Sequence, residues 1–132
     1  MTDQNPFEAM MKMGQEWAKS MNVEADTYTP TGFENLWPTM PAETMEMFFG
    51  KGINPEGLDA KTRLLLTLAA LTVLGAQAEA QIRLTVRHLV EAGATKQEIA
   101  ESIAQMGMFG GVPAMTKAME LANEVLEKDE SA

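Results

Sequence analysis

The sequence predicts an all-α protein, and three observations carry this prediction. Apolar residues recur at spacings of three and four in several segments, which is the period of an amphipathic helix. No segment alternates apolar and polar residues as a half-buried strand does. Breaks rich in Gly, Pro and Thr separate the helical segments. The 132 residues suffice for one domain with a hydrophobic core of its own.

The first predicted helix begins at Asn5-Pro6 and ends near Asn22. Asparagine before proline is typical of a helix start, and Phe and Met residues follow at helical spacing. Residues 23–41 form a connector, because Thr, Pro and Gly prevent a helix longer than a turn or two there. We expect Phe33 and Trp37 to pin this connector to the rest of the domain.

The later helices have recognisable ends. Pro41 suits the start of a short helix, and Gly50 suits its end. Asp59 is a typical N-cap, while Thr95 and Glu98 have the spacing of a capping box. The predicted segments are helices over Pro41 to Phe49, Ala60 to Leu74, Gln77 to Ala92, Thr95 to about Phe109 and about Met115 through Val125, then a frayed tail over Glu127 to Ala132.

The net charge of the chain is −9, because 19 acidic side chains outnumber 10 basic ones. Such a surface repels phosphates, so neither nucleic acid nor an anionic membrane is an expected partner. Arg83 and Arg87 are a close pair of arginines. We expect them to pair with Glu79 and Glu91, four residues away on the same helix, on a solvated or interface face.

The chain contains no cysteine and a single histidine. Disulfides, thiolate-bound zinc and thiol nucleophiles are therefore excluded, and we expect neither a metal nor another cofactor. No apolar run reaches the roughly 20 residues that a membrane span requires. Residues 1–6 are polar and lack the basic start of an export signal, so we expect a cytoplasmic protein.

Three segments carry a family resemblance: Leu58–Arg63, which leads into an apolar helix, Gly93–Glu101 with its capping box, and the elbow Gly111–Ala114. In order and spacing they resemble the carboxymuconolactone decarboxylase family, over about Leu58 to Leu126. The resemblance implies an alkylhydroperoxidase-D-like bundle of about six helices. It also implies assembly with further copies of the chain as a trimer or hexamer, with pockets between helices and near subunit contacts.

The resemblance also suggests how the chain is organised. Residues 1–57 show no match to the family, and they hold the amphipathic helix, the connector and the short helix. Residues 58–132 form the helical core that resembles the family. We expect these two parts to make one compact domain.

The positions that carry chemistry in the family hold residues that cannot perform it here. The hydroperoxidase branch resembles a Cys-x-x-Cys-x-x-x-His arrangement, which falls on Ala78, Gln81 and Thr85, so a thiol-dependent peroxidase is excluded. The decarboxylase branch has a His where this chain has Thr85, and a Glu that falls on Leu64 or Leu66. Threonine cannot act as a general base near neutral pH. If the chain is an enzyme, the resemblance implies a carboxy-lyase.

His88 is the candidate catalytic residue that remains. On a helix it lies about 60° from Thr85, with Gln81 between them, so the three share one stripe. Together with Arg87, which suits a carboxylate ligand or a subunit contact, they are the candidate pocket residues. The structural interpretation, in which His88 caps or packs against a neighbouring element, is favoured over a catalytic one.

Three functions stay open at this point. The leading hypothesis is a divergent, cofactor-free family member that forms a homo-oligomer and binds a small organic acid without transforming it. The second is an active decarboxylase, or a related lactone or keto-acid enzyme, in which His88 replaces the missing histidine. The third is an interaction protein that docks through its Met-rich N-terminal helix, residues 5–22.

Overall fold

The computed structural model describes residues 5–20 and 33–131, and in those residues it contains helices and no strand. The predicted all-α class is confirmed. The chain divides into two compact units, Met1–Pro30 and Thr31–Ala132. The elements are α1 (Pro6–Ser20), a 3-10 helix (Phe33–Leu36), α2 (Ala42–Phe49), α3 (Ala60–Val73), α4 (Glu79–Glu91), α5 (Lys96–Gln105), α6 (Gly107–Gly110) and α7 (Val112–Ser131).

The first unit contains α1, which starts where the sequence predicts. The side-chain oxygen of Asn5 accepts a hydrogen bond from the backbone N–H of Phe7 at 3.0 Å, so Asn5 caps the helix. Phe7, Met11 and Met13 are exposed on α1. The predicted end near Asn22 lies outside the described residues.

Two helix starts of the second unit are fixed by capping side chains, as predicted. Asp59 accepts a hydrogen bond from the backbone N–H of Thr62 at 2.8 Å at the start of α3. At the start of α5, Thr95 and Glu98 form the complete capping box. Hydrogen bonds from Thr62 hold the pKa of Asp59 below its usual range, and the bond from the backbone of Thr95 does the same for Glu98.

The core of the second unit lies where α3, α4, α5 and α7 meet. Each of these helices turns small or branched apolar side chains inwards, and α4 packs against both α3 and α7. Burial of this apolar surface is the main stabilising contribution to the fold. Its largest fully buried members are Leu68, Ile82, Val86, Leu89, Ile99 and Ile103.

The C-terminal part differs from the prediction in two places. The helix predicted to reach about Phe109 ends at Gln105, and α6 follows after a turn at Met106. A Cβ at Gly110 would lie 2.9 Å from the Cα of Val73, so α6 is pressed against the backbone of α3 and cannot continue the axis of α5. The predicted frayed tail is also wrong, because α7 continues to Ser131.

The unit boundary at Pro30–Thr31 precedes the predicted one at 57/58. The reason is that α2 and the described end of the connector, residues 33–41, belong to the same unit as the helical core. Met45 of α2 is fully buried, and α2 packs on α3. In the parts of the chain that the structure describes, no helix is long and apolar enough to cross a membrane.

Candidate ligand-binding site

His88 holds the connector in place through its ring. Its Nε2 accepts a hydrogen bond from the backbone N–H of Met40 at 3.1 Å, which requires the neutral imidazole. Its Nδ1 then carries the proton and donates to the carbonyl oxygen of Leu84, 2.8 Å away. One turn on, Glu91 accepts a hydrogen bond from the backbone N–H of Ala42 at 3.3 Å. The histidine singled out as a catalytic candidate thus has both nitrogens engaged by backbone groups.

Arg87 contacts the same connector but has no acidic partner in the described part of the chain. Its Nη1 donates to the carbonyl oxygen of Glu34 at 2.9 Å, and its Nη2 donates to that of Trp37. Its Nε is buried and has no hydrogen-bond partner among the described residues. The predicted pair with Glu91 is wrong, because the Glu91 carboxylate turns to the start of α2. The guanidinium charge is therefore half-buried without a carboxylate beside it.

Arg83, four residues earlier, is the opposite case. Its guanidinium lies 3.5 Å from Glu34, 3.6 Å from Glu79 and 3.1 Å from Glu124. The predicted pair with Glu79 is thus confirmed, and two further carboxylates from the connector and α7 complete the cluster. Carboxylates therefore balance the positive charge of Arg83, whereas no described carboxylate balances that of Arg87.

A cavity of about 230 Å³ lies between the 3-10 helix, α4 and α7. Both arginines border it, and its apolar walls come from one valine of α4 and one of α7. A space of this size accommodates a small organic molecule. The lining residues are Glu34, Asn35, Arg83, Arg87, Val90, Val125, Lys128 and Asp129.

The other predicted pocket residues are not among those that line this cavity. Thr85 is buried, and its hydroxyl donates to the carbonyl oxygen of Gln81 at 2.7 Å within α4. Gln81 itself is exposed. Arg87 lies about 160° around the helix from Thr85, so the cavity adjoins the opposite face of α4 from the family's histidine position. Of Gln81, Thr85, His88 and Arg87, the structure places only Arg87 at this cavity.

Connector residues complete the site, and the sequence reasoning missed them. Trp37 is 49% exposed, and its backbone carbonyl accepts a hydrogen bond from Arg87. Glu34 is 94% buried, since only 6% of its surface is exposed. The local sequence gives no signal for this burial, since Leu36 on the same turn is 77% exposed.

The chain belongs to the carboxymuconolactone decarboxylase family, whose model matches residues 38–124. The match begins within the connector, earlier than the Leu58 that the motifs indicated, and it includes α2.

Three relatives show how the chain stands within the family. It is 56% identical over 133 aligned residues to an "Uncharacterized 15.0 kDa protein in nqo9-nqo10 intergenic region" of Paracoccus denitrificans, covering 98% of this chain and 99% of that protein. It is 38% identical over 71 residues to the 4-carboxymuconolactone decarboxylase of Acinetobacter baylyi, about half of each chain (54% and 52%). It is 28% identical over 116 residues to the nitrosuccinic acid decarboxylase npaB of Metarhizium robertsii, covering 83% of this chain and 80% of that protein.

Proposed function

We propose that this protein is a homo-oligomeric binder of a small organic carboxylate that it does not decarboxylate. The observation that carries the proposal is the half-buried guanidinium of Arg87, which borders a cavity and has no carboxylate partner in the described residues. A guanidinium matches a carboxylate with two parallel hydrogen bonds, so a bound acid would supply the missing charge. The contrast with Arg83, which has three carboxylates, makes Arg87 the anchor.

The names of two relatives support the same ligand class. One relative is a decarboxylase of 4-carboxymuconolactone and another of nitrosuccinic acid, and both substrates are small carboxylic acids. An acidic protein with a net charge of −9 repels such anions over most of its surface. A local cation without a partner is therefore what a carboxylate site in this protein requires.

The absence of turnover follows from the residues at the family's catalytic positions. Loss of CO2 needs a group that moves a proton and a group that stabilises the developing negative charge. At the histidine position Thr85 directs its hydroxyl to the helix backbone, and the glutamate position holds the apolar Leu64 or Leu66. Neither residue can take either role.

Calorimetric titration with succinate, nitrosuccinate and 4-carboxymuconolactone tests the binding. We expect Arg87→Gln to weaken binding at least about tenfold, because it removes a charge-assisted pair. Arg87→Lys keeps the charge but loses the planar fork of the guanidinium, so its affinity should lie between those of the wild type and Arg87→Gln. Arg63→Gln makes the same chemical change on α3, where Arg63 donates to the carbonyl of Leu58, and should bind like the wild type. Equal affinities in all four proteins would contradict the proposal.

The homo-oligomer is proposed from an exposed apolar face formed by α3 and its C-terminal end, α6 and the first residue of α7. Leu66 and Val73 are seven residues apart and share one side of α3, and α6 is pressed against the second of them. Exposed apolar faces of this kind are typical of subunit interfaces. The face consists of Leu66, Val73, Leu74, Met108, Phe109 and Val112.

Sedimentation equilibrium tests this assembly. We expect a trimer or a hexamer for the wild type and smaller species for Val73→Glu and Phe109→Glu, because a charge inside an apolar interface is costly. Phe48→Glu on α2 is the matched control, since Phe48 is similarly exposed but lies outside the proposed face. Monomeric wild type, or an unchanged oligomer in both variants, would contradict the assembly.

The alternative is a decarboxylase that uses His88 as its base. It is favoured by the names of the two relatives, and it requires His88 to release the N–H of Met40. CO2 release from 4-carboxymuconolactone, compared between wild type and His88→Ala, tests it. Turnover by the wild type that disappears in a variant that remains folded would favour this alternative, and background rates in both would remove it.

The third hypothesis, docking through the N-terminal helix, is kept because Phe7, Met11 and Met13 are exposed on α1. Deletion of residues 1–23 tests it by sedimentation. Smaller oligomers after deletion would assign the segment to assembly. An unchanged oligomer that no longer co-sediments with an apolar particle would assign it to docking.

A further inference from the structure

We infer that the ligand carries a hydrogen-bond donor, a hydroxyl or an ammonium, close to its carboxylate, and that Glu34 selects for this donor. The site is then specific for hydroxy or amino carboxylates over plain carboxylic acids. This inference rests on the proposed function, since it takes Arg87 as the anchor of the ligand's carboxylate.

The starting observation is the state of the Glu34 side chain. The residue borders the cavity and is 94% buried, with 6% of its surface exposed. Its Oε1 faces Arg83 at 3.5 Å, while its Oε2 has no hydrogen-bond partner among the described residues. A buried acceptor without a donor is destabilising, and native proteins keep one mainly where a ligand, a water or a function accounts for it.

Glu34 and Arg87 have opposite hydrogen-bonding roles at the same cavity. Arg87 donates to the backbone carbonyl of Glu34 at 2.9 Å, so the two residues are fixed relative to each other. A guanidinium can only donate, and an ionised carboxylate can only accept. A molecule that matches both must therefore offer an acceptor anion to Arg87 and a donor to Glu34.

Acids without a hydrogen-bond donor near the carboxylate fit this pair of residues poorly. A plain carboxylate pairs with Arg87 but leaves Oε2 of Glu34 without a hydrogen-bond donor. A hydroxy or amino acid satisfies both residues, and its apolar part can lie against Val90 and Val125.

Three probes with one carbon skeleton test the inference: leucine, 2-hydroxy-4-methylpentanoate and 4-methylpentanoate. Titrated into the wild type, the hydroxy acid or the amino acid should bind at least about tenfold more tightly than the plain acid, as expected for one hydrogen bond to a charged group. In Glu34→Gln this preference should fall to near parity for the amino acid, because the negative charge is gone. Glu124→Gln removes another carboxylate beside Arg83 and should keep the preference.

The outcomes separate the inference from the proposed function. Equal binding of the three probes by the wild type would overturn the inference and leave the carboxylate site standing. An unchanged preference in Glu34→Gln would overturn the role of Glu34. Failure of every carboxylate to bind the wild type would overturn the proposed function and the inference with it. If Glu34→Gln does not fold, the relative affinities of the three probes for the wild type still test whether the site prefers a ligand with a donor.

Discussion

The backbone N–H of Met40 donates a hydrogen bond to Nε2 of His88 across 3.1 Å, joining the connector to α4 over 48 residues of sequence. The only histidine of the chain therefore serves as an acceptor that positions the connector. Because the same connector contributes Glu34 to the cavity, the geometry of the proposed site depends on this bond.

Replacing His88 by alanine should destabilise the protein by about 1–3 kcal/mol, since it leaves the half-buried N–H of Met40 without an acceptor and removes ring packing. The urea midpoint measures this change. Gln97→Ala at an exposed position of α5 is the control and should change the free energy of unfolding by less than about 0.5 kcal/mol. Equal midpoints for wild type and His88→Ala would contradict the positioning role.

Arg83→Met should cost about 3–5 kcal/mol of unfolding free energy, because it leaves the buried carboxylate of Glu34 without its cation. Lys61→Met breaks the more exposed pair between Lys61 and Glu98 and should cost less than about 1 kcal/mol. Denaturant unfolding of both variants makes the comparison. A similar cost at the two sites would show that Glu34 is not buried as described.

Gly110→Ala should destabilise by about 1–3 kcal/mol, because the new methyl group meets the backbone of Val73 at 2.9 Å and of Thr72 at 3.2 Å. Gly107→Ala in the same short helix meets the sulfur of Met115, a flexible side chain that can move aside, and should cost less. Thermal unfolding of the two variants tests the order. The reverse order would contradict the close packing of α6 on α3.

Acid should weaken the start of α5 through Glu98. The hydrogen bond from the backbone of Thr95 and the ion pair with Lys61 keep the pKa of Glu98 below its usual range in the folded protein. The ionised form therefore stabilises the fold above the unfolded pKa, and this contribution is lost as the pH falls through the folded pKa. We expect Glu98→Gln to be less stable than wild type at neutral pH and to approach it between about pH 5 and 3.

Urea midpoints measured across this pH range provide the check. Glu101→Gln, at an exposed position of the same helix, should follow the wild-type curve throughout. A difference between wild type and Glu98→Gln that grows with acid would have the wrong sign and would contradict the capping account.

Local signals in the sequence predicted most of the fold. Asp59 and the pair of Thr95 and Glu98 fix helix starts through contacts within four residues, so their effect can be derived from spacing alone. The break at Met106 could not be derived in this way, because it follows from the approach of Gly110 to α3. The sequence predicts a frayed tail because the last residues are mostly charged and show no apolar periodicity, whereas α7 continues to Ser131.

The site was predictable only in part. Angles on one helix predict that Gln81, Thr85 and His88 share a stripe, but such angles say nothing about which side of the helix faces a cavity. The cavity exists because the connector and α7 meet the other face of α4, and Glu34 enters it from 49 residues before Arg83 in sequence. The chemistry of Arg87 makes it a candidate from sequence, whereas only the structure shows that no described carboxylate pairs with it and that its Nε has no hydrogen-bond partner.

Binding of a carboxylate at Arg87 without turnover is tested most sharply by a carbon-13 NMR titration of the protein with 4-carboxymuconolactone labelled in its carboxyl group. We expect the carboxyl signal to shift or broaden on addition of wild type, to stay unaffected by Arg87→Gln, and to persist without conversion. Labelled CO2 or bicarbonate formed by the wild type would contradict binding without turnover. A carboxyl signal that wild type and Arg87→Gln affect equally would contradict Arg87 as the anchor.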